Sequence, residues 1–483
     1  LDRSSAASDV YKRQILWYNN KRLDKGVIMS NHHQTVSKQT IMAIVAIALI
    51  GFSGILSETS MNVTFPTLMS VYQLPLNSLQ WMTTIYLLAV AIMMTTSATL
   101  KKNVRERPLF FMATGLFTFG TILAVLTQSF AIMLLARIFQ GIGTGMIMPQ
   151  MFNIILERVP MHKIGFFMGF GGLIISLAPA FGPTYGGFMI SHFSWQWIFI
   201  GILPVPLIAS ILAYLYLEDS PAGDKVPFDW LAFMALSVSL TSALLTITSL
   251  ESGHINWLYL GLFLISLIIF LYKNLTAKQP FLDIRILKIP SLTFGLIPFF
   301  VFQLINLGIN FLTPNFIVIE KIANSSQAGM VLLPGTLLGA LLAPAFGKLY
   351  DQKGARLSLY LGNALFSLSL LIMTLQTKHF MLGAFTFLYI LFTFGRNMGF
   401  NNSLATAIRE LPAEKNADAT AIFQMMQQFA GALGTALASL IANSQPEFTS
   451  GVQSVYLLFT NFALFNFIFF FAMFYHLGKK GLA

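Results

Sequence analysis

Three charged residues lie within long apolar stretches of this 483-residue sequence: Glu58, Arg137 and Arg396. An ionisable side chain is costly in surroundings without water, so it usually faces a cavity or a partner. A carboxyl group in such a place can exchange a proton and attract a cation as its surroundings change. Asn62 follows Glu58 by about one helical turn and is expected on the same face. We predict a proton-coupling and cation-recognition site at Glu58; a structural hydrogen bond between helices is the alternative.

Two further apolar segments carry polar residues at helical spacing. Gln303, Asn306 and Asn310 follow the spacing i, i+3, i+7, and Gln424 and Gln428 are four residues apart. Residues so spaced share one face of a helix. We predict that these side chains line a cavity for substrate; hydrogen bonds between helices are the alternative.

The composition indicates the environment of these helices. The chain is 56% hydrophobic and 10% charged, with a mean hydropathy of +0.72, whereas soluble proteins are roughly 25% charged. Its apolar segments supply fourteen stretches of about 20 residues, the length of a membrane helix. The predicted fold is an all-α membrane protein with fourteen transmembrane helices. The composition excludes a soluble enzyme, and the lack of cysteine excludes disulfides and thiol chemistry.

The placement of basic residues predicts the topology. With the N-terminus inside, Lys321 and Lys378 are the two basic loop residues after position 100 that fall outside. Because basic residues are retained on the cytoplasmic side, we expect both termini in the cytoplasm and the chain in a bacterial plasma membrane. The same placement accounts for the net charge of +11 and excludes a nucleic-acid partner.

The spans group as six, two and six. Repeated six-helix halves with a site between them are typical of transporters. Because Met29 opens a polar leader, residues 1–28 are expected to be an upstream artefact; a disordered basic tail is the alternative. The predicted divisions are a basic N-terminal tail (1–39), a six-helix bundle (40–217), a linker with two inserted helices (218–275), a second six-helix bundle (276–476) and a basic tail (477–483).

Glycine and proline recur in the fourth span after Arg137. Gln140, Gly141, Gly143, Gly145 and Pro149 follow it. A dinucleotide-binding loop would need a preceding strand, which this sequence lacks. Gly141 and Gly145 favour close packing of helices, and Pro149 is expected to bend the inner end.

The fifth span holds a second small-residue pattern. Gly182 and Gly186 are four residues apart, with Pro183 between them and Gly187 adjacent. Such a helix can bend and let a neighbour approach closely. Ordinary helix packing is the alternative.

A short inner loop after the tenth span contains Gly347, Asp351, Gly354 and Arg356. One acid and one base in a tight loop suit a charge-linked latch between helix ends; a plain surface turn is the alternative. The chain has no GxxxxGK[ST] and no HExxH motif, and its histidines lack metal-ligand spacing. We therefore expect no enzyme activity, no cofactor and no metal.

These motifs together resemble a known family. Arg137–Pro149 resembles the fourth-helix signature of the major facilitator superfamily, and Gly182–Gly187 resembles its GPxxGG antiporter motif. Gly347–Arg356 resembles its inner-loop motif GxxxDxxGxR. Trp195–Phe199 is similar to the sixth-helix start of the 14-helix drug:proton antiporters of the EmrB/QacA type, and the chain resembles lincomycin-resistance-type members in particular.

The resemblance implies proton-driven export of lipophilic, often cationic compounds by alternating access, with Arg137 tuning proton release and the fifth helix preventing leak. Two departures stand out. Ser57 occupies the position of an Asp in many members, so the role passes to Glu58; and Lys102 replaces the Asp of the first inner loop. We expect a monomer acting on small molecules and protons. A dedicated exporter of one endogenous lipid, peptide or metabolite, or a non-transporting membrane sensor or scaffold, are the alternatives.

Overall fold

The computed structural model describes residues 36–160, 163–219, 226–412 and 415–481. Residues from Lys38 onward form one compact unit. The expected artefact at 1–28, nearly all of the basic tail at 1–39 and part of the linker lie outside the described residues.

Fourteen long helices dominate the described part of the chain. The first six are α1 (Lys38–Met61), α2 (Trp81–Met94), α3 (Glu106–Leu126), α4 (Phe130–Arg158), α5 (Ile164–His192) and α6 (Pro204–Tyr216). The next two are α7 (Trp230–Thr248) and α8 (Trp257–Thr276). The last six are α9 (Pro290–Ile319), α10 (Ser325–Lys353), α11 (Ala355–Gln376), α12 (Leu382–Ala407), α13 (Asn416–Ala442) and α14 (Phe448–Lys479).

Thirteen segments of the described chain are long and apolar enough to cross a membrane. At α2 and α6 the segment also includes the short helices before them, so that it runs over Leu76–Met94 and Trp197–Tyr216. The exception, α12, spans 26 residues, and its polar residues Arg396, Asn397 and Asn401 lower its mean hydropathy. Helices satisfy every backbone hydrogen bond internally, which a segment in lipid requires. The protein is therefore an all-α, multi-pass membrane protein, and the predicted fold class is confirmed.

Local signals set the helix boundaries. Asn324 caps α10 in a reciprocal capping box with Gln327, and Asp229 caps α7 through the backbone N–H of Ala232. Gly354 has a φ of +86° and separates α10 from α11. That positive φ favours glycine, because other residues rarely adopt it.

The helix ends fall into two groups. One group, here called the basic end, is tied together by Lys101 with Glu157, Arg158 with Glu106, and Lys480 with Glu410. The other group, here called the opposite end, contains the helix connections near residues 62–80, 193–196, 320–324 and 377–381; Asn77 there bonds Glu251 across 2.8 Å.

The helices form two halves, α1–α6 and α9–α14, around the cavity described below. α5 packs against α10, and α2 packs against α13, so two helix pairs join the halves. The inserted α7 contacts both α2 and α13, whereas α8 lies at the periphery and is mostly exposed.

Glycines allow α4 to pack closely within the first half. A Cβ on Gly141 or Gly145 would lie within 2.8 Å of atoms of α2, and one on Gly143 would lie 2.4 Å from the Ala113 carbonyl of α3. Both faces of the α4 glycine segment are therefore occupied by neighbouring helices.

Candidate functional site

A cavity of about 400 Å³ lies between the two halves. α1, α4 and α5 supply mainly apolar lining, including Ile55, Met148 and Ile175, whereas α9, α12 and α13 supply mainly amides. Among the described residues that line the cavity, the one acid is Glu58 on the first half and the one base is Arg396 on the second half. The cavity thus has an apolar wall with one acid and a polar wall with one base.

Glu58 lies on α1 and is 4% exposed. Its Oε1 atom has no hydrogen-bond partner in the described part of the chain. A buried, unpaired carboxylate is costly, so protonation or a cation in the cavity would relieve that cost. The side chain can therefore exchange a proton with the cavity.

Arg137 on α4 is fully buried beside this acid. It donates to Ser57 Oγ at 2.8 Å, to Gln140 Oε1 at 2.7 Å and to the Met82 carbonyl at 3.0 Å. Its guanidinium lies 4.3 Å from the ring centroid of Tyr86. Neutral groups thus hold the cation, and it forms no ion pair with Glu58 or another described acid.

Gln140 extends this network into the first half. Its amide donates to Thr121 Oγ1 on α3 at 2.9 Å while its carbonyl oxygen accepts from Arg137. Pro149 lies inside α4, which continues to Arg158. The fourth-helix motif therefore combines a buried polar network with the close packing described above.

The amide wall contains the residues singled out by helical spacing. Gln303, Asn306 and Asn310 from α9 and Gln424 and Gln428 from α13 all line the cavity. Tyr389 on α12 donates to Asn310 Oδ1 at 2.5 Å, so Asn310 also holds two helices together.

Sequence reasoning missed three amides of this wall. Gln427, Asn397 and Asn401 also line the cavity. Helical spacing carried the signal, since Gln427 follows Gln424 by three residues, and Asn397 and Asn401 are four residues apart beside Arg396.

Asn62 does not lie where the sequence predicted it, on the cavity-facing side of α1 with Glu58. It does not line the cavity, because α1 ends at Met61 and the chain turns there, so the helical spacing from Glu58 no longer applies. Its Oδ1 accepts from Thr83 at 3.3 Å, and its carbonyl accepts from Asn315 of the second half at 2.7 Å. Asn62 thus joins the halves at the opposite end.

The α5 motif contacts two different partners. A Cβ on Gly182 would lie 1.9 Å from Thr59 of α1, and one on Gly186 would lie 2.3 Å from the Ser60 carbonyl. Pro183 and Gly187, which follow Gly182 and Gly186 in the sequence, contact α10 instead.

Gly187 and Pro183 meet the second half. A Cβ on Gly187 would lie 2.4 Å from the Ser325 carbonyl, and one on Gly329 would lie 2.2 Å from the Pro183 carbonyl. Toward the basic end of the same two helices, Gly172 and Gly347 have no neighbouring atom within 4 Å of a Cβ. The halves are therefore in backbone contact at the opposite end.

The expected latch between Asp351 and Arg356 is not formed. Both residues are exposed, and Asp351 makes no ion pair with the described residues. Arg356 lies over the ring of Phe474 at 5.6 Å instead, because α11 packs against α14. Gly347 and Gly354 have open space around them.

Most of the chain matches the model of a protein family. The model of the Major Facilitator Superfamily matches residues 47–435. The chain belongs to the Major Facilitator Superfamily. It is thus a membrane transporter of that superfamily, with two six-helix halves around a shared cavity.

Individual relatives support this assignment. The chain is 31% identical over 419 residues to a lincomycin resistance protein, LmrB, of Bacillus subtilis (strain 168), covering 85% of this chain and 87% of LmrB. It is 25% identical to the riboflavin transporter RibZ of Clostridioides difficile (strain 630), covering 83% of this chain and 88% of RibZ. Among solved structures, a peptide transporter POT in complex with sulfate matches with a TM-score of 0.67 and 15% identity, covering 89% of this chain and 94% of that one.

Within the described residues, no group of three or more His, Asp or Glu side chains could hold a metal ion.

Proposed function

We propose that this superfamily member exports lipophilic, cationic drugs in exchange for protons across a bacterial plasma membrane. The observation that carries the proposal is Glu58, the carboxylate of the described cavity lining, whose Oε1 has no hydrogen-bond partner. A proton and a cationic substrate would compete for this one group. Competition of that kind couples their movements in opposite directions.

Arg137 supports the coupling without taking the proton. Its charge is fixed, because an arginine stays protonated in proteins. Held by Ser57 and Gln140, it favours the charged form of Glu58 from beyond ion-pair distance. Arg137 would therefore promote proton release when substrate arrives.

The orientation follows from the basic residues. The basic end would face the cytoplasm, with both chain termini on that side. Backbone contacts of Gly187 with Ser325 and of Gly329 with Pro183 close the opposite end, so the cavity would take up substrate from the cytoplasm. Separation of α5 from α10 would then release it outside. Both halves of the cavity come from one chain, so a monomer suffices.

The relatives support the drug substrate and also a second candidate. LmrB is named as a lincomycin resistance protein, whereas RibZ is named as a riboflavin transporter. The second candidate function is therefore export of one endogenous metabolite. Substrate competition distinguishes the two, because a dedicated exporter would ignore most dyes.

The test is ethidium accumulation in inverted membrane vesicles under an imposed pH gradient. Wild-type vesicles should accumulate the dye only while the gradient persists. Glu58→Gln should abolish accumulation with the protein still inserted, and Lys378→Gln at the exposed opposite end should behave as wild type. Gradient-driven accumulation by Glu58→Gln would overturn the proposal, and failure of wild type to move any of several dyes would favour the dedicated exporter.

A further inference from the structure

Arg396 carries a positive charge without an acidic partner. It lies on α12 in the cavity wall, and none of the ion pairs between described residues includes it. A cation held for structural reasons within a membrane is usually paired with an acid or with backbone carbonyls. The surroundings of Arg396 instead consist of neutral side chains.

The hydrogen bonds of Arg396 leave donors unused. Its Nη2 donates to Gln303 Oε1 at 2.8 Å, and its Nη1 donates to Asn397 Oδ1 at 3.2 Å. The guanidinium carries five N–H donors, so these two bonds leave most of them without a partner, Nε among them.

Neighbouring residues hold the guanidinium in place. It lies 4.5 Å from the ring centroid of Phe400, one helical turn further along α12, and Gln303 holds it from α9. A planar guanidinium fixed on an aromatic ring offers a rigid fork of donors that matches a carboxylate or phosphate. The amides around it add further donors to the same side of the cavity.

The opposite wall offers different chemistry. Ile55, Met148 and Ile175 supply apolar surface around Glu58. A molecule that satisfies both walls has an apolar body, a basic group toward Glu58 and an oxyanion toward Arg396.

We propose that Arg396 is a substrate-binding residue that selects amphipathic compounds carrying a carboxylate or another oxyanion. This inference rests on the proposed function only in taking the cavity as the substrate site. It narrows the substrate class from lipophilic cations in general to zwitterions whose negative group binds Arg396. Cations without an oxyanion would bind more weakly.

A matched pair of dyes tests this assignment. Tetramethylrhodamine carries a free carboxylate, and its methyl ester differs by the loss of that negative charge. Binding of each dye to the purified full-length protein in detergent is followed by fluorescence anisotropy at neutral pH without any gradient. Wild type should bind the carboxylate dye about tenfold more tightly than the ester, as expected for a charge-assisted hydrogen-bonded pair.

Variants separate recognition from folding. Arg396→Gln should lose about tenfold in affinity for the carboxylate dye, with little change for the ester. Arg396→Lys keeps the charge without the fork and should recover part of the loss. Lys378→Gln, which removes an exposed charge far from the cavity, should leave the preference unchanged.

Several outcomes would overturn the inference: equal affinity of wild type for both dyes, no binding of the carboxylate dye, or equal loss of both dyes in Arg396→Gln. These outcomes differ from failure of the proposed function. If the carboxylate preference depends on Arg396 but Glu58→Gln still transports under a pH gradient, Arg396 recognition stands and proton coupling at Glu58 fails.

Discussion

Arg137 on α4 donates a hydrogen bond of 2.8 Å to the hydroxyl of Ser57 on α1. It does not bond the carboxyl group of Glu58, the next residue along the chain. Neutral groups accept from Nε and Nη1 of the buried cation, whereas its Nη2 has no hydrogen-bond partner among the described residues. Glu58 faces the cavity with Oε1 also unpaired. We therefore propose that adjacent residues have separate roles: Ser57 positions the cation, and Glu58 exchanges the proton.

Ser57→Ala should destabilise the protein, because it removes an acceptor from a fully buried guanidinium. Loss of such a partner costs about 1–3 kcal/mol, so the thermal midpoint in detergent should fall. Ser53→Ala is the matched control on α1, since Ser53 Oγ donates to the Leu49 carbonyl of its own helix at 2.9 Å and to no other described residue. An equal or larger decrease in the control would contradict the role of Ser57.

Gly187→Ala should open the contact between the halves, because the added Cβ would meet the Ser325 carbonyl at 2.4 Å. The sequence contains no cysteine, so a single Thr184→Cys probe reports directly on this contact. Maleimide labelling of the probe in detergent should become several-fold faster.

Gly172→Ala is the control for that experiment. It lies on the same helix, and no atom is within 4 Å of the added Cβ. Labelling should stay at the original rate. If both alanine variants accelerate labelling equally, the Gly187 contact does not close the opposite end.

The surroundings of Glu410 at the basic end predict that the thermal stability of the protein depends on pH. Burial raises the pKa of its carboxyl, but hydrogen bonds from Lys480 and Ser291 and the positive charge of Lys480 outweigh burial and hold that pKa below its usual range. Because the pKa of Glu410 is lower in the folded state, its ionised carboxylate stabilises the folded protein. This contribution to the free energy of unfolding is complete above the unfolded pKa of about 4.3. It disappears as the pH falls through the folded pKa.

Glu410→Gln should therefore lower the thermal midpoint at pH 7, by the equivalent of about 1 kcal/mol. The difference from wild type should shrink as the pH falls below about 4. Glu447→Gln should show little effect, because among the described side chains the Glu447 carboxylate accepts a hydrogen bond from Ser450 alone, at 3.2 Å. A difference that grows on acidification would contradict the assigned sign.

The single acid of the described cavity lining predicts selectivity for charge. Ethidium carries one positive charge and propidium carries two on the same ring system. Because Glu58 can neutralise one charge, we expect proton-driven accumulation of propidium to be several-fold slower than that of ethidium in inverted vesicles. Equal rates would indicate further acidic groups in the transport path.

Most of the fold follows from the sequence. Long apolar segments with basic residues at alternate breaks predict fourteen spans, because lipid demands helices and the membrane potential and insertion favour basic loops on one side. Helical spacing also predicts which amides of α9 and α13 share a face.

The errors arise where helices end or meet. Asn62 follows the end of α1, and Asp351 and Arg356 depend on how α11 packs against α14. The bond between Arg396 and Gln303 joins residues on α12 and α9. Such contacts depend on tertiary packing, which residue spacing within one helix does not specify.

The central claim is that Glu58 carries the coupled proton, and substrate-induced proton release tests it most directly. Purified protein in weakly buffered detergent is mixed with saturating ethidium, and a pH-sensitive dye follows the release. Wild type should release up to about one proton per bound ethidium, since a carboxyl group holds one proton. Glu58→Gln should release none while still folded. Equal release by wild type and Glu58→Gln, or none by wild type, would contradict the claim.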